Sequence, residues 1–127
     1  MSDILLSINP QFVDKIISGE KKYEFRTRVA KKRVKRIVIY CTFPRMKILA
    51  EAEILGVLKM DPESLWKETQ KQAGITKSFF DAYFKGRKVA YAYKLGRVIA
   101  FSKEKSLSDY GCKSAPQSFV YVKGGNL

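Results

Sequence analysis

The stretch Gly19-Glu20-Lys21-Lys22-Tyr23-Glu24-Phe25-Arg26 sets the reading of this chain, because a glycine-led turn carrying a lysine runs straight into an alternation of polar and aromatic residues. A strand starting near Lys22 has a two-residue side-chain period, which places Tyr23 and Phe25 on one face and Lys22, Glu24, Arg26 and Arg28 on the other. The first face is expected to build core and the second to offer charge. A lone carboxylate among cations repels a bare phosphate. Glu24 is therefore expected to make the stripe selective, by accepting protons from a base, a hydroxyl or a neighbouring arginine.

Working outward, Ile4 to Ile8 reads as a short apolar strand. Asn9 then caps a helix, Pro10 suits its first turn, Gly19 closes it in a left-handed conformation, and Val13, Ile16 and Ile17 form its buried stripe. Downstream, Lys31-Lys32-Arg33-Val34-Lys35-Arg36 is too polar for a core element and is expected to be an exposed connection into Ile37-Val38-Ile39-Tyr40-Cys41, a β-prone run. A turn at Phe43-Pro44-Arg45 leads to a second long strand, Ile48 to Leu58, with Gly56 as a candidate bulge and with Glu51 and Glu53 on one face.

Asp61-Pro62-Glu63 is a helix start, and Gly74 stops that helix. Thr76 caps a shorter helix closed at Gly86, whose Phe79, Phe80, Tyr83 and Phe84 are read as core. Val89 to Phe101 reads as β structure interrupted near Gly96, while periodicity leaves Pro116-Gln117-Ser118-Phe119-Val120-Tyr121 unassigned. The pattern is that of one α+β domain over residues 1–127 with a mainly antiparallel or mixed sheet.

Composition narrows the function. The 127 residues have an apolar fraction of 46%, which suits one folded domain with a modest core. Twenty-five Lys and Arg against twelve Asp and Glu give a net charge of +13, and the excess is concentrated between Lys15 and Arg36. Such a surplus points to an anionic partner, nucleic acid before an acidic membrane surface. No apolar run is long enough to span a bilayer and the first residues lack a signal-peptide layout, so a cytoplasmic location without membrane contact is expected. The chain has no histidine, which excludes Ser-His and Cys-His nucleophilic chemistry and histidine-based metal hydrolysis. Cys41 and Cys112 lack paired metal-site spacing and read as reduced thiols; no metal or cofactor is expected.

The pattern G-x-K-x-x-E-x-R, carried by Gly19, Lys21, Glu24 and Arg26 after a strand and an amphipathic helix, resembles the ASCH domain of the PUA-like superfamily. Leu5-Leu6-Ser7-Ile8, Ser18-Gly19, Ile39-Tyr40, Ala50-Glu51-Ala52-Glu53-Ile54, Trp66, Gly74-Ile75 and Pro116-Gln117-Ser118 extend the likeness to bacterial and phage stand-alone members. The resemblance implies a PUA-like β-barrel of mixed and antiparallel strands with peripheral helices. It also implies a cleft beside the strand after the first helix, and a role in RNA or nucleoside recognition. Some small members resemble amidohydrolases that deacetylate 4-acetylcytidine with a lysine, a threonine nucleophile and a later glutamate. Lys21 matches that lysine, but Glu24 stands where the threonine would be, and a carboxylate is a poorer nucleophile for acyl transfer. Thr27 falls on the opposite face from Glu24. Other members are linked to RNA cleavage or to transcription coregulation.

Two readings of the site remain side by side at this level, with a transcription-coregulator interaction domain as a third class of function. In the first, the chain is an RNA- or nucleotide-binding module: Lys21, Glu24, Arg26 and Arg28 form the cleft, while Lys31, Lys32, Arg33, Lys35 and Arg36 form an electrostatic rim for phosphates. Gln117 and Ser118 place an amide and a hydroxyl by a bound base. Single-stranded or looped RNA is expected over duplex, with a free nucleoside or nucleotide as the smaller alternative. In the second, it is a metal-independent hydrolase acting on RNA or a modified nucleoside, with Lys21 and Glu24 catalytic. Lys21 sits at the cleft mouth in both readings, and burial near Arg26 would lower its pKa. Glu51 or Glu53 supplies a further carboxylate or answers cations across the sheet, and Tyr40 and Trp66 are either stacking platforms or core.

Overall fold

The computed structural model describes residues 2–123. Its strands are β1 (Ser2–Ile8), β2 (Tyr23–Arg26), β3 (Val34–Cys41), β4 (Lys47–Met60), β5 (Ala90–Lys105) and β6 (Phe119–Val122), and its helices α1 (Pro10–Ser18), α2 (Pro62–Thr69) and α3 (Lys77–Tyr83). The strands form one mixed sheet in the order β2-β5-β4-β3-β1-β6. β1 and β3 pair in parallel, and the other ladders are antiparallel.

The parallel pair explains its own sequence. β1 and β3 are buried on both faces: Ile4, Leu6, Ile8, Ile37, Ile39 and Cys41 pack into one cluster, while Leu5, Val38 and Tyr40 join Ile48 and Val122 in another. Near-continuous apolar runs are what a strand covered on both sides requires. α1 adds Val13 and Ile16 to the first cluster, but Ile17 is exposed, so the buried stripe is narrower than expected. Asn9 holds the cap position of α1 without a side-chain hydrogen bond, and Gly19 closes the helix at φ 91°.

α2 and α3 lie over the other face of β2. Phe25, Leu65, Phe80 and Phe84 form a third cluster there, with Phe25 edge-on to Phe80 at 5.2 Å. Asp61 accepts from Ser64 N to start α2, and Thr76 accepts from Phe79 N to start α3. α2 gives way to a short 3-10 turn at Gln70–Gln72, and the chain reverses at Gly74 with φ 70°. Trp66 meets Phe80 at a tilt with ring centres 5.0 Å apart and Tyr40 is 4% exposed, so both are packing residues rather than platforms for a base.

Other expectations shift in detail. β5 is continuous from Ala90 to Lys105; in place of a break, the pairing with β4 slips where Ala52 faces Val98 and Ile54 faces Leu95, around Gly96. A second slip, between Ile54 and Gly56, puts a bulge at the expected glycine. The unassigned tail supplies β6, which pairs with β1. β3 begins at Val34, so Lys35 and Arg36 belong to a strand and not to the exposed connection.

Candidate functional site

The sheet curls until β2, at one end, approaches β1, which lies next to last at the other. No ladder joins them. Instead Arg26 bridges the gap: its Nη2 donates to the Ser7 carbonyl at 2.9 Å and to Glu24 Oε2 at 2.8 Å, and its Nε donates to the same oxygen at 3.1 Å. The strand alternation is what makes this possible. Tyr23 and Phe25 turn toward α2 and α3, with the Phe25 ring also reaching the edge of the seam pocket, while Glu24 and Arg26 face the seam.

At this seam lies a cavity of about 170 Å³, lined by residues of β1, α1, β2 and α3, among them Ser7, Phe12, Lys21, Glu24, Arg26, Phe79 and Tyr83. It is smaller than the roughly 300–1,000 Å³ of sites for drug-sized ligands, so it suits one planar ring or one anionic group. Phe79 and Tyr83 are 41% and 38% exposed. The aromatics of α3 and its C-cap Phe84 therefore divide: Phe80 and Phe84 are core as expected, whereas Phe79 and Tyr83 form a pocket wall. Phe79 also meets Phe12 edge-on at 5.1 Å.

Lys21 is at the floor of this pocket, not at its mouth. It is 2% exposed, its Nζ donates to the Ala73 carbonyl at 2.7 Å, and it lies 5.4 Å and 4.9 Å from the ring centres of Phe12 and Phe25. Burial lowers its pKa from the usual 10.5 to about 8; Glu24 acts to raise it, and Lys15 and Arg26 to lower it. Desolvation thus outweighs the attraction of the carboxylate. Glu24 is 6% exposed, with Oε2 occupied by Arg26. Its Oε1 takes no hydrogen bond among the described residues, which leaves an acceptor in the pocket beside a lysine and an arginine.

Behind the pocket, Tyr93 is paired across the β2–β5 ladder with Glu24. Its hydroxyl accepts from Ala30 N at 2.9 Å, and the Tyr121 hydroxyl accepts from Lys32 N at 3.1 Å. Lys32 Nζ lies 5.0 Å from the Tyr121 ring centre. The basic connection is therefore anchored by two tyrosines. Lys31, Lys32 and Arg33 are exposed there, and Lys32 and Arg33 line a separate hollow with Tyr93.

Other expected site residues fall elsewhere. Arg28 lies beyond the end of β2, away from the pocket lining, because the alternation stops at Arg26; Thr27 also lies past that end, half-buried. Lys35 is exposed on β3, and Arg36 approaches Asp3 at 3.9 Å. Glu51 and Glu53 line a different surface with Arg36 and Arg97, away from Lys21, and Glu53 Oε1 accepts from the Arg97 backbone N at 3.3 Å. Gln117 and Ser118 do not line the pocket, although the carbonyl of Pro116 just before them accepts from Ser7 Oγ at 2.8 Å. The residues unforeseen from the sequence are Ser7, Phe12, Ala73, Phe79 and Tyr83. Only the two aromatics on α3, spaced four apart on one helix face, carried any signal.

Comparison with known proteins agrees with this architecture. The family described as ASCH domain matches residues 6–110. The ASCH domain-containing ribonuclease of Zymomonas mobilis is 30% identical over 94 residues, covering 73% of this chain and 64% of that protein. Large ribosomal subunit protein uL22 of Ureaplasma parvum is 28% identical over 121 residues, 94% of this chain, but the chain spans only 39% of its length. The crystal structure of ASCH from Zymomonas mobilis superposes with a TM-score of 0.87 at 25% identity, covering 95% of this chain and 87% of that one. The fold is the PUA-like barrel of that family. With most of its length matched and the barrel shared, the chain belongs to the ASCH domain family.

Proposed function

We propose that this chain is a single-domain RNA-binding module whose seam pocket receives one unstacked base or nucleotide. The observation that carries this reading is the meeting of a buried ammonium, a free carboxylate oxygen and an exposed aromatic wall in one small cavity: Lys21, Glu24 Oε1, and Phe79 with Tyr83. An aromatic face stacks a base of any sequence, Glu24 accepts from an amino edge, and Lys21 and Arg26 offer charge to a phosphate or carbonyl oxygen. Lys31, Lys32 and Arg33 hold the flanking backbone. A base buried in a duplex does not reach such a pocket, so single-stranded or looped RNA is the ligand. The net charge of +13 supports a polyanion, and a cytoplasmic location fits that partner.

The test is fluorescence anisotropy of a labelled single-stranded RNA across a salt series, with wild type and Lys21→Ala side by side. Salt-sensitive binding that Lys21→Ala weakens supports the module; no binding by either protein sinks it.

One observation favours a second, hydrolytic reading: the Zymomonas mobilis relative is named a ribonuclease, and an amine with a pKa of about 8 is partly neutral near physiological pH. In that case neutral Lys21 takes the 2′-hydroxyl proton, the 2′-oxygen bonds to phosphorus as the P–O5′ bond breaks, and the leaving 5′-oxygen takes a proton from water, giving a 2′,3′-cyclic phosphate and a 5′-hydroxyl. Running the titrated RNA on a gel separates the two readings. Cleavage by wild type, insensitive to chelator and lost in Lys21→Ala while binding persists, makes the module an enzyme.

A further inference from the structure

Lys21 is held by two kinds of contact. The turn that carries it is pinned from three directions: Lys21 N donates to Lys15 O at 3.0 Å, Lys22 N donates to Gln72 O at 2.9 Å, and Leu95 N donates to Lys22 O at 2.9 Å. These bonds to α1, to the 3-10 turn and to β5 fix the backbone. The Lys21 side chain is held at residue 73, where Ala73 O accepts from Lys21 Nζ at 2.7 Å, while the next carbonyl, Gly74 O, accepts from Lys15 Nζ at 3.5 Å. Three consecutive carbonyls, from Gln72 to Gly74, are thus read by the segment that runs from α1 into β2.

Gly74 does more than reverse the chain after the 3-10 turn. Its φ of 70° is a left-handed conformation, and a Cβ placed on it would stand 2.5 Å from both Cβ and Cγ of Lys21 and 2.9 Å from its Cδ. No real contact between carbons is that short, so any side chain at position 74 must displace the lysine stem. Gly86 has nearly the same backbone, φ 78°, with nothing within 4 Å of the position a Cβ would take. The crowding at Gly74 is therefore separable from the cost of the left-handed conformation itself.

We infer that Gly74 and the Ala73 carbonyl form a mould that seats the Lys21 stem and aims its ammonium at the floor of the seam pocket, making Gly74 a positioning residue for ligand binding there. The inference rests on the reading of that pocket as the binding site. The mould places the amine by shape, and the hydrogen bond to the Ala73 carbonyl holds the cation in place. A side chain at position 74 lifts the stem, breaks that bond and lets the amine out toward water.

The experiment follows the titration of the Lys21 Cε resonance by NMR, assigned by its loss in Lys21→Met, in wild type, Gly74→Ala and Gly86→Ala, with RNA affinity measured on the same samples. Gly74→Ala is expected to raise the Lys21 midpoint by about one pH unit or more toward the ordinary lysine value, while Gly86→Ala leaves it in place. RNA affinity should fall about tenfold in Gly74→Ala. In a Lys21→Met background, where the crowding persists but no ammonium is left to misplace, the same change should cost little further affinity. A merely structural role would cost the same in both backgrounds.

An unchanged midpoint in Gly74→Ala, or an equal rise in Gly86→Ala, overturns the inference. Should Gly74→Ala fail to fold, wild type still decides: the Gly74 α-protons must show nuclear Overhauser contacts to the Lys21 side-chain methylenes, and their absence overturns it. If the midpoint moves as stated while wild type binds no RNA, the mould stands and the RNA-binding reading falls.

Discussion

Arg26 and Ser7 lie on strands that share no ladder, yet Arg26 Nη2 donates to the Ser7 carbonyl across 2.9 Å. The same nitrogen holds Glu24 Oε2 at 2.8 Å, so one guanidinium both bridges the barrel seam and fixes the carboxylate that lines it. Opening of the seam and orientation of Glu24 are consequently coupled.

Removing Arg26 leaves Glu24 buried without its partner and the Ser7 carbonyl without its donor. Arg26→Ala is expected to cost about 2–3 kcal/mol, from the loss of charged hydrogen bonds. Urea unfolding of Arg26→Ala and of the Arg26→Ala, Glu24→Gln double variant checks it. The double variant should recover part of the loss, since an amide tolerates burial better than a carboxylate. Additive losses would show that the two residues are not coupled.

Lys21 titrates at about 8 in the folded chain and at its ordinary 10.5 when unfolded. Between those values the unfolded state holds a proton that the folded state has released, so stability rises with pH across the window; below about 8 the full penalty of the buried ammonium is present. Relative to Lys21→Met, wild type should gain up to about 3 kcal/mol between roughly pH 7.5 and pH 10.5. Denaturation at a series of pH values measures this, and parallel curves for the two proteins would contradict it. Affinity for an anionic ligand should weaken over the lower part of the same range, as the ammonium is lost.

The wall and core aromatics of α3 are expected to respond in opposite ways. Phe79→Ala and Tyr83→Ala remove exposed pocket walls and should each weaken binding of single-stranded RNA by about 1–3 kcal/mol if a base stacks there. Phe80→Ala removes a residue that is 1% exposed and should lower stability by about 3–5 kcal/mol. Anisotropy and thermal melts on all three variants separate the roles; equal binding by wild type and both wall variants would remove the base from this pocket.

Lys32→Ala and Arg33→Ala bear on the anchored basic connection. Each is expected to reduce the slope of log affinity against log salt by about one, without moving the Lys21 titration. A slope unchanged in both variants would place the RNA backbone on another surface. Tyr121→Phe, which removes the acceptor for Lys32 N, should weaken binding less than Lys32→Ala because the charge remains.

The local elements were legible in the sequence where one short-range rule governs them. Tyr23 and Phe25 alternate with Glu24 and Arg26, and a strand has no other way to present them; Asp61 with Pro62, and Thr76, start helices as capping chemistry dictates. The motif and the charge excess also pointed to Lys21, Glu24 and Arg26 together. Arg28, Gln117 and Ser118 do not line the seam pocket, because period and motif do not tell where a strand ends or how far a tail stands from a cavity.

The sequence by itself determined the alternation of β2, the helix starts and the cationic character of the chain, since these follow from neighbours a few residues apart. Only the tertiary structure decided that Lys21 is the floor of the pocket and that Ala73 and Gly74 shape it, because these residues stand 52 and 53 positions from it along the chain. It likewise decided that Phe79 and Tyr83 face the pocket while Phe80 and Phe84 face the core. The physical reason is burial. The desolvation that moves the Lys21 ammonium to about 8 is exerted by surfaces brought together from α1, β2 and the chain around Gly74, and a local pattern of residues does not say which distant surfaces will close over it.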